Sequence, residues 1–175
     1  TGGLTKLSTS TGTFKLSGSH LNTYTGPTTL QAGTLQAGAG DAFSPFSNVV
    51  MSDSAVLDLN NFDNTIGALS GTSGNQVNVG TATLTFGNST NATYGGGITG
   101  TGTLIALGSG KFDLTGDASS FGGTTNVENK VFAVNNKLGG NVFVQNGGTL
   151  GGIGTILGGV TVNSGGTIEP GNSIG

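Results

Sequence analysis

Few side chains in this chain can carry chemistry. His20 is the only histidine, cysteine and arginine are absent, and the charged residues are five lysines and eight acids. A Ser–His–Asp relay can be written with Ser17 or Ser19 as nucleophile, His20 as base and Asp41 behind the imidazole, the arrangement in which a carboxylate orients a base against a hydroxyl. No serine is read as sitting in a glycine-flanked G-x-S-x-G elbow that would strain its hydroxyl outward. In the second copy of the surrounding repeat, described below, Ala118 stands where His20 does, so His20 is read as a solvated loop residue. A zinc site fails for want of further His or Cys ligands.

The acids are Asp41, Asp53, Asp58, Asp63, Asp113, Asp117, Glu128 and Glu169. Asp53, Asp58 and Asp63 recur every five residues, which raises the idea of calcium held across adjacent layers of a repetitive fold. Calcium needs several converging oxygens, and no EF-hand loop or calcium-binding nonapeptide is present. Gly95-Gly-Gly-Ile-Thr-Gly100 matches the dinucleotide pattern GxGxxG, but that pattern works by opening a helix and no helical periodicity follows. Asn88-Ser-Thr90 and Asn91-Ala-Thr93 are formal glycosylation sequons and read as polar turns. Tyr24 and Phe121 occupy equivalent repeat positions, as packing anchors. The expectation is therefore no catalytic, metal or cofactor site and no assigned binding residue.

The elements that hold these residues follow from composition. Glycine supplies 36 of 175 residues, and Thr, Asn and Ser dominate the remainder, none of them strong helix formers. Apolar residues come instead in short alternating runs, such as Ala55-Val-Leu-Asp-Leu59, Gln76-Val-Asn-Val79, Ala82-Thr-Leu-Thr-Phe86 and Asn141-Val-Phe-Val144, bounded by Gly, Asn and Ser. Period-two alternation with such borders marks half-buried strands and argues against disorder. A net charge of −3 without arginine leaves no basic patch for nucleic acid. No apolar run reaches the length of a membrane helix, and without cysteine no disulfide framework exists.

The chain repeats itself. Val142-Phe-Val-Gln-Asn-Gly-Gly-Thr-Leu150 lies over Val160-Thr-Val-Asn-Ser-Gly-Gly-Thr-Ile168 at an offset of 18 residues. Phe14-Lys-Leu-Ser-Gly18 matches Phe112-Asp-Leu-Thr-Gly116 at 98, and Tyr24 to Leu30 matches Phe121 to Val127 at 97. Units of about 2–37 and 97–134 result, followed by C-terminal coils over 139–175, all in one continuous domain, 1–175. An interval of two or three short strands with Gly-Gly or Asn-Gly corners is one turn of a parallel β-solenoid. A single coil cannot bury its inward face, whereas stacking the next coil about 4.8 Å away does.

The expected fold is all-β, a parallel β-helix of roughly eight or nine coils. Inward residues should be Phe14 and Leu16, Leu57 and Leu59, Val77 and Val79, Leu84 and Phe86, Phe112 and Leu114, Val142 and Val144, Val160 and Val162. Glycines at the Gly147-Gly148 and Gly165-Gly166 corners should supply positive φ and close packing, and asparagines should hydrogen-bond from coil to coil.

Gly2-Gly-Leu-Thr-Lys-Leu7, Gly12-Thr-Phe-Lys-Leu-Ser-Gly18, Asn22-Thr-Tyr-Thr-Gly26 and Thr29-Leu-Gln-Ala-Gly-Thr-Leu35 resemble the passenger-associated β-strand repeat of bacterial autotransporters, the type V secretion proteins. So do Leu57-Asp-Leu-Asn-Asn-Phe-Asp-Asn-Thr-Ile-Gly67 and Gly97-Ile-Thr-Gly-Thr-Gly-Thr-Leu104. The tail Gly165-Gly-Thr-Ile-Glu-Pro-Gly-Asn-Ser-Ile-Gly175 is similar to the stretch near the C-terminal end of such passengers. The resemblance implies a right-handed β-helix displayed on or released from the outer surface of a Gram-negative cell through a membrane β-barrel that is not part of this chain.

From it follows the expectation of a non-enzymatic rod for adhesion, with a host-cell surface protein or glycan as partner. The alternatives are a released toxin or host-receptor ligand of the same fold and, further off, a β-helical polysaccharide lyase or hydrolase, which needs the Arg or clustered acids this chain lacks. Neither nucleic acid nor a membrane span is expected, and self-association through the solenoid ends is. Sequence names neither the receptor nor the binding face.

Overall fold

The computed structural model describes residues 2–18 and 21–171. The alternating runs become 23 strands of two to five residues, and no helix occurs among the described residues. Each strand lies parallel to its sheet neighbours. The chain winds as a solenoid of three faces, visited in the same order on every turn.

The first face runs the length of the stack as nine strands: Leu4–Lys6, Thr28–Leu30, Val49–Met51, Leu69–Gly71, Ala92–Tyr94, Phe112–Leu114, Val131–Val134, Thr149–Gly152 and Thr167–Pro170. These mark eight turns, about 38 Å of rod at the spacing of hydrogen-bonded strands. The second face holds five strands from Thr13–Leu16 to Gly97–Gly100. A bridge from Gly100 to Phe121 carries that side on into a three-stranded sheet of Asp117–Ala118, Lys137–Leu138 and Thr155–Ile156. The third face has six strands, from Asn64–Ile66 to Val160–Val162.

The 18-residue interval read from the sequence is the spacing of the last two turns on the first face, and the third-face pairing of Thr125 with Val142 is one residue shorter still. Val142 pairs with Val160, and Leu150 with Ile168. Earlier turns are longer: Phe112 pairs with Phe132 after 20 residues and Leu4 with Thr28 after 24. The extra residues lie in corners and loops, which leaves the inward alternation intact.

The longer self-match behaves differently. Phe14 lies on the second face, whereas its counterpart Phe112 lies on the first; Leu30 lies on the first and its counterpart Val127 on the third. Equivalent segments are thus rotated by one face about the rod axis. An interval of 97–98 residues is a whole number of faces without being a whole number of coils. Any face suits the same strand, because each asks only for alternating apolar residues.

The core is a set of aliphatic and aromatic columns. Leu57, Leu59, Val77, Val79, Leu84, Phe86, Phe112, Leu114, Val142 and Val144 are fully buried, as the alternation predicts, each contributing about 1.5–3 kcal/mol by leaving water. Phe112 meets Phe86 edge-on at 4.8 Å and Phe132 at 5.1 Å, joining two faces across the interior. Four expected core residues depart from the reading. Phe14, Val160 and Val162 are exposed and Leu16 is half-buried. Their register matches that of buried residues in the adjoining turn; they sit in the first and last turns, where only one neighbour covers them.

Corners follow the expected chemistry. Gly147 and Gly165 have φ of 73° and 79°, the left-handed region closed to most side chains. Asn48 Oδ1 accepts the Ala68 N–H at 2.9 Å and the Asn88 side-chain amide at 2.8 Å, tying three successive turns.

Candidate functional site

The rod is regular except on the third face of its first two turns. There residues 21–27 and 38–48 form loops where later turns have strands. The two segments lack the alternating pattern, contain Pro27 and Pro45, and place Asp41 at φ 53°, a left-handed conformation that Asp and Asn tolerate. Loops on a rigid scaffold are where recognition residues gather.

Hydrogen bonds hold the two loops in place. Thr28 Oγ1 is hydrogen-bonded to Ser47 Oγ at 2.8 Å and to the Tyr24 hydroxyl at 2.9 Å, and Ser47 Oγ donates to the Gly26 carbonyl at 2.8 Å. Ser44 Oγ donates to the Tyr24 carbonyl at 2.7 Å, and Asn22 Nδ2 to the Ala42 carbonyl at 2.6 Å. The Asp41 N–H donates to the Asp63 carbonyl at 2.9 Å. Asn64 accepts the Phe43 N–H at 3.0 Å and donates to the Phe62 carbonyl at 2.9 Å. This stitching sets Leu21, Asp41 and the pair Phe62-Asp63 at one corner of three successive turns.

That corner carries large apolar residues in water. Leu21 is 49 % exposed, Phe62 38 %, and Phe46, on the second loop, 60 %. Leu21 belongs to the first turn, whereas Phe46 and Phe62 lie on the second and third, away from the ends of the rod. No periodic run in the sequence singles them out; the available signal was a bulky apolar residue standing alone among turn formers.

Acidic charge collects on the same part of the rod. Residues 16–110 contain Asp41, Asp53, Asp58 and Asp63 and no lysine. Asp53, Asp58 and Asp63 lie on one turn and not on adjacent ones: Asp53 before the second-face strand Val56–Asp58, Asp58 at its end and Asp63 just before the third face. Turns at 53–54 and 60–61 and the strand between them set the three on different parts of that coil. Among the described residues no group of three potential ligands comes together. Asp58 accepts from Gln36 at 2.8 Å, and Asp63 accepts the Thr83 N–H at 2.6 Å.

The other sequence candidates are dispersed. His20 and Ser19 lie outside the described residues; Ser17 and Asp41 are exposed. The expectation that no serine has the G-x-S-x-G spacing is corrected at Ser173, where Gly171-Asn-Ser-Ile-Gly175 spells it, and residues 172–175 also lie outside the described residues. The glycine motif at 95–100 runs into the strand Gly97–Gly100, where the Gly97 carbonyl accepts the Tyr94 hydroxyl at 3.0 Å. Both sequon asparagines use their amides within the stack: Asn88 bonds Asn48 and the Thr90 N–H, and Asn91 accepts the Lys111 N–H. Phe121 is fully buried, a packing anchor; Tyr24 is half-buried.

Three titratable groups depart from their ordinary behaviour. Burial lowers the Lys130 ammonium to about 8, with the Gly110 carbonyl accepting from Nζ at 2.7 Å. Burial pushes the Tyr94 phenol up. Hydrogen bonds from Ser119 hold the Asp117 carboxyl below the usual range, helped by Lys137 at 3.8 Å. The first two brace the interior of the stack; the third lies on its surface.

Comparison with known proteins follows the same lines. The model of the passenger-associated-transport-repeat matches residues 4–37 and 104–129. The chain is 43 % identical over 126 residues to the adhesin BmaC autotransporter of Brucella suis biovar 1 (strain 1330), an alignment covering 69 % of this chain and 4 % of that protein. It is 37 % identical over 78 residues to the extracellular serine protease of Serratia marcescens, covering 45 % of this chain and 7 % of that one. The chain therefore spans a small fraction of the curated relatives it matches. No solved structure matches it.

Proposed function

The chain belongs to the autotransporter passengers, and we propose for it the work of a non-enzymatic surface rod that mediates adhesion, contacting a protein or glycan of a host cell. Secretion to the outer surface of a Gram-negative bacterium goes with that reading. The observation carrying it is the pair of relatives. One is named an adhesin and the other a serine protease, yet each aligns with part of this one chain. What proteins of different activity have in common is the scaffold, so the shared segment supplies length and surface, while any hydrolytic chemistry belongs to other parts of a relative. The solenoid supports this physically. Its stacked turns expose flat columns such as Thr83, Thr103 and Thr124 on the third face, a repeated surface suited to many weak contacts made together.

The test is binding of the purified, fluorescently labelled chain to intact mammalian cells, with casein hydrolysis measured in parallel. Saturable cell binding without casein cleavage is the expected outcome. Casein cleavage that co-purifies with the chain and is lost in a serine-to-alanine variant at Ser173 overturns the non-enzymatic reading, and absence of saturable binding to any cell type overturns adhesion.

A further inference from the structure

We infer that the corner built by Leu21, Asp41, Phe62 and Asp63, with Phe46 further along the loop that carries Asp41, is a docking surface for a cationic polypeptide segment that also presents apolar side chains. The inference deepens the adhesion reading and rests on it, because it names the class of partner that the rod would grip.

Two properties of the surface select that partner. Its apolar residues are large, exposed and held by loops whose polar groups are already satisfied internally, so covering them costs little reorganisation. Among the described residues its charge is of one sign. Asp41 and Asp63 are both exposed and lie on adjacent turns joined by the Asp41 N–H bond to the Asp63 carbonyl, and Asp53 and Asp58 extend the negative charge along the same turn as Asp63. The nearest cation in sequence, Lys15, lies on the second face of the first turn. In the far half Asp117 is paired with Lys137 at 3.8 Å and Asp113 with Lys111 at 3.4 Å, and Glu128 and Glu169 are half-buried, so the exposed carboxylates without an ion pair among the described residues gather in the near half. Charge complementarity therefore separates this corner from the rest of the rod. An acidic glycan meets repulsion there, and a neutral glycan leaves the carboxylates unanswered. A lysine- or arginine-bearing strand with leucine or aromatic anchors satisfies both features.

The probe is an immobilised synthetic peptide of alternating lysine and leucine, with a glutamate–leucine peptide as its opposite, and binding of the full chain is followed by surface plasmon resonance. The lysine peptide should bind and the glutamate peptide should not, with association weakening as salt rises. D41N/D63N should lower the association rate about tenfold. Both substitutions spare the fold: Asn suits the positive φ at position 41, and an amide at position 63 keeps an oxygen for the Thr83 N–H. L21S/F62S should raise the dissociation rate by a similar factor. D117N/E128Q removes the same charge elsewhere and should stay within about twofold of the parent, since rim charges act locally at physiological salt. Equal losses for the two charge variants, or equal binding of the two peptides, overturn the inference. Cell binding that survives D41N/D63N and L21S/F62S also overturns it while leaving adhesion standing; peptide binding without any cell binding defeats adhesion alone.

Discussion

Thr125 is a polar residue in an apolar column, and replacing it with valine should make the protein more stable. The residue belongs to the strand Thr124–Val127 and lies between Leu104 and Val142 in register, all three fully buried. Its Oγ1 finds no hydrogen-bond partner among the described residues. A buried hydroxyl left unpaired costs about 1–3 kcal/mol. Thr125→Val keeps the shape, replaces that oxygen by a methyl and removes the penalty, so a gain of about 1–3 kcal/mol is expected. Urea unfolding should show the midpoint rising with the slope unchanged, since the surface exposed on unfolding is the same. Two controls isolate the cause. Thr85→Val, on the outer side of the third face, should stay within about 0.5 kcal/mol. Thr125→Ser keeps the hydroxyl and deletes a methyl, and should lose about 1 kcal/mol. A Thr125→Val variant no more stable than the parent would refute the reasoning, because it would mean that the hydroxyl is satisfied or that the column is wet.

Phe112→Ala should cost about 3–5 kcal/mol, measured by the same unfolding curves, because it empties the junction between Phe86 and Phe132. Val144→Asp buries an unpaired charge and should abolish a cooperative transition at ordinary temperature, whereas Thr161→Asp, exposed on the neighbouring turn, should unfold like the parent. Lys130 gives a pH dependence. Below about pH 8 the folded and unfolded chains both carry its proton, and the penalty of the buried ammonium is fully present. Between about 8 and the ordinary lysine value of 10.5 the folded chain releases the proton while the unfolded chain keeps it, so stability rises with pH. Urea midpoints at about pH 7.5 and 10 should show this rise in the parent and lose it in Lys130→Met.

Much of the fold was legible because a solenoid is written in local signals. Alternation identified Leu57, Val77, Leu84 and Val142 as inward, and paired glycines marked the corners, since each turn must solve the same problem of burial and bending. What stayed hidden depends on neighbours remote in sequence. Thr125 shares the phase of Val127, but its type gives no sign that a hydroxyl stands in an apolar column until register puts it under Leu104. Phe14 and Val160 read as core, and only the number of coils stacked on them decides their burial. The rotation of the long repeat by one face was invisible because all three faces accept the same pattern. Asp53, Asp58 and Asp63 suggested convergence through even spacing, yet one turn of the solenoid distributes them before, at the end of and beyond the strand Val56–Asp58. The corner of Leu21 and Phe62 lay outside every periodic run and is assembled by loop hydrogen bonds from Asn22 and Asn64, which no local pattern encodes.

The stacking of parallel turns at one strand spacing, on which every other statement about the rod depends, can be measured as a ruler. The chain has no cysteine, so pairs of introduced cysteines can be spin-labelled at outward positions without background. Thr65 and Thr161 are five turns apart on the third face, and Thr5 and Glu169 eight turns apart on the first. Pulsed electron–electron resonance should give mean distances near roughly 24 and 38 Å, about 4.8 Å per turn. Distances that fail to grow with the number of intervening turns, as a hairpin sheet or closed barrel would produce, would contradict the stack.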